Sequence, residues 1–330
     1  VAGREWGYWT RGKLDILRRY LDAFTTATTK SPERIYIDAF AGQVENRDRL
    51  TQKVIEGSAR IALSIANPPF TRLRFFETRE NAPALEAALR RDFSDRDFEV
   101  FGGDCNVLIP EMLGELSEYS WAPTFAFVDP NGMEAAWTTL EALAEFRRER
   151  KTKVELWLLF AAPMFTRVLR VDGAPTRAED IAAIDAMFGC RDWHAIYEAR
   201  LALDIDPAAA RREYLNLMRW RLEQVLGYTW THPLEVRNEA GQPIYYMIFA
   251  TDHPAGTRIM SDLYAKAAEE FPAMRVEARR TRRSIDDAEA GVGRLFNDDD
   301  LELRGPVRTG ERFYEHEPPW RPPLLGEEED

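Results

Sequence analysis

Cysteine is scarce in this 330-residue sequence: Cys105 and Cys190 are the two present, far apart and in no CxxC spacing. That excludes a disulfide framework and a zinc ribbon, and it predicts a reducing, cytoplasmic setting. Histidine is nearly as sparse. The four residues His194, His232, His253 and His316 form no HxH or HExxH pair that would put two imidazoles on one metal, so no protein metal site is expected. Long apolar runs are missing too: none reaches the roughly 18 to 20 residues of a membrane span, and the stretch Val1 to Trp6 has no signal-peptide hydrophobic region. The expectation is a protein that neither crosses a membrane nor is exported. Positive charge is in deficit, with 44 Lys and Arg against 56 Asp and Glu, a net charge of −12. Such a balance argues against a broad basic face for nucleic acid, because each phosphate contact needs a cation to displace counterions. Two local basic runs remain. Arg147 to Lys151 reads as a solvated helix end, and Arg279 to Arg283 is left as a candidate patch. No GxSxG occurs, and a Cys105 thiolate beside Asp104 is disfavoured, so a nucleophilic hydrolase fails on inventory and Cys105 reads as a small buried apolar residue.

What the chain has is hydrophobic content, 45% of residues with 12% aromatic, enough to bury a large core. Lys13 to Phe24 places Leu14, Ile16, Leu17, Tyr20, Leu21 and Phe24 at helical spacing, and Ser31-Pro32 stops the pattern. Strands are predicted at Ile35 to Ile37, Leu73 to Phe76, Phe98 to Phe101, Thr124 to Val128 and Val154 to Phe160. Helices are expected between them, from Ser58, over Ala82 to Arg91, Val107 to Leu113 and Thr138 to Arg150. Strands alternating with helices indicate an α/β sheet with parallel strands and right-handed crossovers. Residues 167–229 read as a helical insertion after a first unit at 1–166. Residues 230–284 supply a β-hairpin around Asn238-Glu239-Ala240-Gly241 and a helix from about Thr257 to Glu270. From about Ile285 the pattern gives way to a tail, 285–330, with Asp298-Asp299-Asp300, Pro318-Pro319, Pro322-Pro323 and the acidic run Glu327 to Asp330.

In an open α/β sheet ligands bind beyond the carboxyl ends of the strands. The first predicted strand ends in Asp38, then Phe40-Ala41-Gly42; the second ends in Glu77, the third in Gly103-Asp104, the fourth in Asp129-Pro130-Asn131-Gly132. Asp38 or Asp104 alone reads as a turn former or helix cap. Glu77 stands where a ribose diol is commonly held, and acids at four successive strand ends favour a binding edge over a solvated face.

These residues carry a resemblance. Asp38 with Phe40-Ala41-Gly42 resembles the S-adenosylmethionine loop of nucleic-acid methyltransferases. The resemblance implies a Rossmann-like class I methyltransferase fold, a mostly parallel seven-stranded sheet with an antiparallel edge hairpin. It implies further that Asp38, Phe40, Ala41, Gly42, Glu77 and Asp104 hold the cofactor, with Asp104 facing the adenine, and that Asp129, Pro130, Asn131 and Gly132 form the catalytic loop. A resemblance covering more of the chain rests on Trp9-Thr10, Lys13 to Leu17, Ile37 to Gly42, Glu56-Gly57-Ser58-Ala59, Val128 to Gly132 and Gly256 to Met260: it is to the bacterial three-Cys-motif partner (TcmP) family. That family implies a three-Cys-motif protein, related to radical S-adenosylmethionine enzymes, as partner.

The chain departs from these patterns twice. Gln43-Val44 follows Gly42 where the family has Pro-Gly, so a positive φ at Val44 would cost roughly 1 to 3 kcal/mol; rerouting through Asn46 is the alternative. Gly132 occupies the position at which amino-methyltransferases carry the aromatic that stacks on a flipped base, leaving Met133 or Trp137 to supply that surface. Trp6, Trp9 and the Arg279 run are the other candidates for nucleic-acid contacts. The resulting expectation is an S-adenosylmethionine-dependent methyltransferase acting on a nucleic-acid base or nucleotide together with a three-Cys-motif partner. The alternative is a partner or scaffold subunit that keeps the fold without the activity. A dinucleotide oxidoreductase ranks below both, because GxGxxG is missing and Asp38 would repel a pyrophosphate.

Overall fold

A computed structural model describes residues 5–48, 51–172 and 174–290. In chain order the elements are β1 (Glu5–Trp6), α1 (Tyr8–Ala27), β2 (Ile35–Asp38), β3 (Glu45–Asp48), β4 (Val54–Glu56), α2 (Ser58–Ser64), β5 (Arg72–Glu77), α3 (Ala82–Asp92), β6 (Phe98–Gly102) and α4 (Cys105–Glu115). They continue with β7 (Thr124–Val128), α5 (Trp137–Glu145), β8 (Glu155–Phe160), α6 (Ala162–Val168), α7 (Ala178–Phe188), α8 (Trp193–Leu201), α9 (Pro207–Trp220), β9 (Trp230–Arg237), β10 (Pro243–Thr251) and α10 (Pro254–Ala290).

Seven strands form one sheet in the order β6-β5-β2-β7-β8-β10-β9. Neighbours from β6 to β8 pair parallel, and β10 runs antiparallel to both β8 and β9. Alternation along each strand explains the layers. Ile35, Ile37, Ala126, Val128, Leu156 and Leu158 enter one core with α4 to α9, while Tyr36, Phe125, Phe127, Trp157, Met247 and Phe249 enter the other with α1, α2 and α10. Both faces are therefore covered, which is why the central strands read as continuous apolar runs.

Several boundaries differ from expectation for identifiable reasons. α1 ends at Ala27, before Ser31-Pro32, because the hydroxyls of Thr28 and Thr29 hydrogen-bond the carbonyls of Phe24 and Thr26 at 2.8 Å each and take over the last turn. α10 runs past Glu270 to Ala290 in spite of Pro272, and its Arg279 and Arg282 bind the carbonyl and carboxylate of Glu239 in the hairpin turn. Residues 285–290 of the expected tail are thus helical; 291–330 lie outside the described residues.

Glu155 is buried at the start of β8, with its carboxyl pKa raised by desolvation. Tyr20 Oη donates to its Oε2 at 2.6 Å and Thr251 Oγ1 to its Oε1 at 2.7 Å, tying α1, β8 and β10 together. Tyr20→Phe strips one buried oxygen of its donor and is expected to cost about 2 kcal/mol in urea denaturation. An unchanged midpoint would mean that the hydroxyl contributes nothing to that junction.

Candidate functional site at the strand ends

Parallel pairing brings the carboxyl ends of β6, β5, β2 and β7 to one edge, but not to one level. Asp38 is in register with Phe75 of β5 and Phe127 of β7, so it lies two residues below Glu77 and Asp129. Its burial follows. Asp38 is fully buried and accepts from Tyr36 Oη at 3.1 Å and the Phe40 amide at 3.3 Å. The Ser58 hydroxyl is a long 3.4 Å from the Ala41 carbonyl, and the carboxylate beside it is the stronger acceptor, so we assign its hydrogen to Asp38. Desolvation, opposed by Ser58 and aided by the Asp129 charge, pushes the Asp38 carboxyl up to about 7.

Above it the loop is held by backbone contacts. The Ala39 amide donates to the Phe127 carbonyl at 2.9 Å and the Ala41 amide to the Phe76 carbonyl at 2.8 Å. Gly42 has φ of 64°, and its amide donates to Glu77 Oε2 at 2.8 Å. A Cβ on Gly42 would meet nothing nearer than the Phe40 carbonyl at 3.9 Å, so the backbone is open to close approach by a ligand. Glu77 Oε1 also accepts from Thr78 Oγ1 at 3.1 Å and Asn81 Nδ2 at 3.2 Å; a carboxylate with three donors still has acceptor capacity left. Phe40 is half-buried against the core on the α4 side, and Ala41 is buried on the other.

Gln43-Val44 does not strain the loop, because Val44 is not among the residues with positive φ. The chain is rerouted: it leaves Gly42 into β3, which pairs parallel with β1 and antiparallel with β4 in a separate three-stranded sheet. The Val44 carbonyl accepts from the Gly57 amide at 2.8 Å, and a Cβ at position 57 would stand 2.2 Å from the Gln43 carbonyl oxygen. Gly57 is what lets the rerouted backbone lie so close.

Asp104 caps α4, its Oδ1 accepting from the Asn106 amide at 2.9 Å and from Asn106 Nδ2 at 3.0 Å. Asn106 then fastens the loop after β7: its Oδ1 accepts from the Ala136 amide at 2.9 Å and Thr139 Oγ1 at 2.7 Å, and its Nδ2 donates to the Glu134 carbonyl at 2.8 Å. Within that loop Pro130 and Gly132 are buried and Asn131 is exposed. A Cβ on Gly132 would lie 3.1 Å from Met164 Sδ, so a methionine of α6 occupies the space that an aromatic at 132 would fill. Trp137 offers no platform. It is 2% exposed, donates to Glu141 and carries the Arg221 guanidinium 4.2 Å from its ring centroid.

The residue that sequence reasoning missed is Lys13. It lies on the buried face of α1 and its Nζ makes an ion pair with Asp129 Oδ2, while standing 5.9 Å from the Phe127 and 5.7 Å from the Tyr245 ring centroid. Asp129 Oδ1 and the Tyr245 hydroxyl are buried with no hydrogen-bond partner. The signal was available: Lys13 shares a helical stripe with Leu14, Leu17 and Leu21, and a cation on an apolar face requires an anion opposite it.

Elsewhere, Cys105 is buried with its thiol pushed up to about 12 by desolvation and the Asp104 charge. Among the described residues no cluster of His, Cys, Asp and Glu has metal-site geometry, and no helix is long and apolar enough to cross a membrane. The Trp6 and Arg283 side chains lie outside the described residues.

Neither a protein-family model nor a curated protein matches the sequence. Among solved structures the chain is similar to protein LPL1258 from Legionella pneumophila str. Philadelphia 1, of the family model DUF519, at 11% identity over 78% of this chain and 91% of that one, with a TM-score of 0.41. The sheet order, its parallel strands and the antiparallel hairpin at one edge make this chain a Rossmann-like α/β protein.

Proposed function

We propose that the protein is an S-adenosylmethionine-dependent methyltransferase acting on an amino group of a nucleic-acid base or nucleotide. The observation that carries this reading is the tie between Gly42 and Glu77, which joins an open glycine turn after one strand to a half-buried acid at the end of the next. The pair fits a nucleoside cofactor: the turn lets its backbone approach, and the remaining lone pairs of Glu77 accept from a ribose diol. The cofactor would supply a methyl group on a sulfonium. Gly42, Ala41 and Glu77 would hold it, Asp38 would keep the bend above it in shape through the Phe40 amide, and Asp104 would stand at the adenine side. Asp129, with Pro130, Asn131 and Gly132 behind it, would accept a hydrogen bond from the acceptor amine and orient its lone pair, so that catalysis is chiefly positioning. Met164 in place of an aromatic, together with Arg279 and Arg282 committed to Glu239, suits a single base or nucleotide better than a long strand.

A second reading is a methyltransferase-fold subunit that serves a three-Cys-motif partner without turnover. It is favoured by the internal engagement of two of the strand-end acids, Asp38 under the loop and Asp104 as a helix cap.

Titration calorimetry with S-adenosylmethionine and S-adenosylhomocysteine separates the two. The methyltransferase reading expects micromolar binding, weakened at least tenfold, or about 1.4 kcal/mol, by Glu77→Ala. No heat at millimolar ligand, or equal affinity in the variant, would remove it and leave the scaffold reading.

A further inference from the structure

Asp129 is a half-buried carboxylate with one oxygen, Oδ1, cut off from solvent and without a donor. Such an oxygen is costly to keep charged unless a cation is close by. The groups facing it are Lys13 from α1, Asp38 and Tyr36 from β2, and Tyr245 from β10. Lys13 is the only cation in that set. The Asp38 carboxyl, once charged, repels the Asp129 carboxylate, and neither tyrosine hydrogen-bonds Oδ1. The ammonium itself is confined: its side chain is 8% exposed, and the Phe127 and Tyr245 rings stand within 6 Å of Nζ, a distance at which ring faces attract a cation.

From this geometry we infer that Lys13 is the positioning residue for Asp129, holding its Oδ2 so that the carboxylate stays charged and fixed at the end of β7. The inference rests on the reading of Asp129 as the group that receives the methyl acceptor. It assigns α1, an element outside the sheet, a part in the site. Removing one partner of a buried ion pair leaves the other uncompensated, and with Oδ1 cut off from solvent the carboxylate then takes up a proton more readily. The protonated group is a weaker hydrogen-bond acceptor for an amine and carries a competing donor of its own.

The test labels the full chain with aspartate carrying carbon-13 at Cγ and follows the side-chain resonances with pH, the Asp129 signal being the one lost in Asp129→Asn. In Lys13→Met the Asp129 resonance is expected to titrate at least one pH unit higher than in the unaltered protein, a tenfold rise in proton affinity, whereas Lys13→Arg restores most of the difference. Binding of S-adenosylhomocysteine, read by calorimetry on the same samples, is expected to change less than threefold in both variants. An Asp129 titration unmoved by Lys13→Met, or moved equally by Lys13→Arg, would overturn the inference. So would a tenfold loss of S-adenosylhomocysteine affinity in Lys13→Met, which would make Lys13 a cofactor contact. Should the unaltered protein bind no S-adenosylhomocysteine, the methyltransferase reading falls while the titration still decides the coupling of Lys13 to Asp129. If Lys13→Met does not fold, the Lys13→Arg titration decides alone: a resonance displaced by a full unit with the charge retained overturns the assignment.

Discussion

Between pH 5 and pH 8 the protein is expected to lose about 3 kcal/mol of stability that Asp38→Asn does not lose. The folded Asp38 carboxyl keeps its proton to about 7, because the fully buried site disfavours the charge. The unfolded carboxyl gives up its proton near 3.9. Within that interval the folded state binds the extra proton, so the contribution is complete below the lower value and is lost as pH rises through the upper one. Asparagine has nothing to titrate, and the histidines are the same in both proteins and cancel in the difference. Urea midpoints at half-unit steps check this. Parallel curves for the two proteins would place the Asp38 proton loss near its unfolded value and refute the desolvation argument.

Two glycine-to-alanine changes are expected to move stability in opposite directions. At Gly57 the new methyl would meet the Gln43 carbonyl oxygen at 2.2 Å and that of Val44 at 3.1 Å, and backbone oxygens yield only by displacing the loop. The cost is about 3 kcal/mol. At Gly114, within α4, a Cβ meets nothing within 4 Å, and the change should add about 0.5 to 1 kcal/mol by restricting the unfolded chain. Thermal unfolding of both variants measures the contrast. A Gly57→Ala protein as stable as the Gly114→Ala one would show that Gln43 and Val44 are not seated against Gly57. Since the same segment leads directly out of Gly42, S-adenosylhomocysteine binding should weaken in Gly57→Ala and not in Gly114→Ala.

The sheet was legible because its signals are local. Apolar runs such as Thr124 to Val128 are buried on both faces, and each ends where a polar turn begins. The hairpin was announced by Asn238-Glu239-Ala240-Gly241, whose Gly241 has φ of 80°. The short sheet of β1, β3 and β4 was not legible: its strands span two to four residues and are rich in charge, and their pairing depends on Gly57, next to β4, lying against the Gln43-Val44 segment that leads into β3. The acids at the strand ends could be named from sequence, but their levels could not. Only register shows that Asp38 sits two residues lower than Glu77 and Asp129, and that this depth is what withdraws it from solvent. Likewise Met164 reaches Gly132 through tertiary packing that leaves no local trace.

The place of β10 has a consequence for biosynthesis. β8, an unbroken run of buried residues, receives β7 on one side from earlier in the chain, but its other edge is paired by a strand that emerges only after α6 to α9 and β9. At roughly 5 to 20 residues per second the ribosome leaves that edge open for several seconds, a template for pairing with a neighbouring nascent chain. Glu155, at the first position of the run, faces the side that Thr251 will later close. The enclosure of this carboxylate is completed only when β10 has docked and the Thr251 hydroxyl reaches its Oε1.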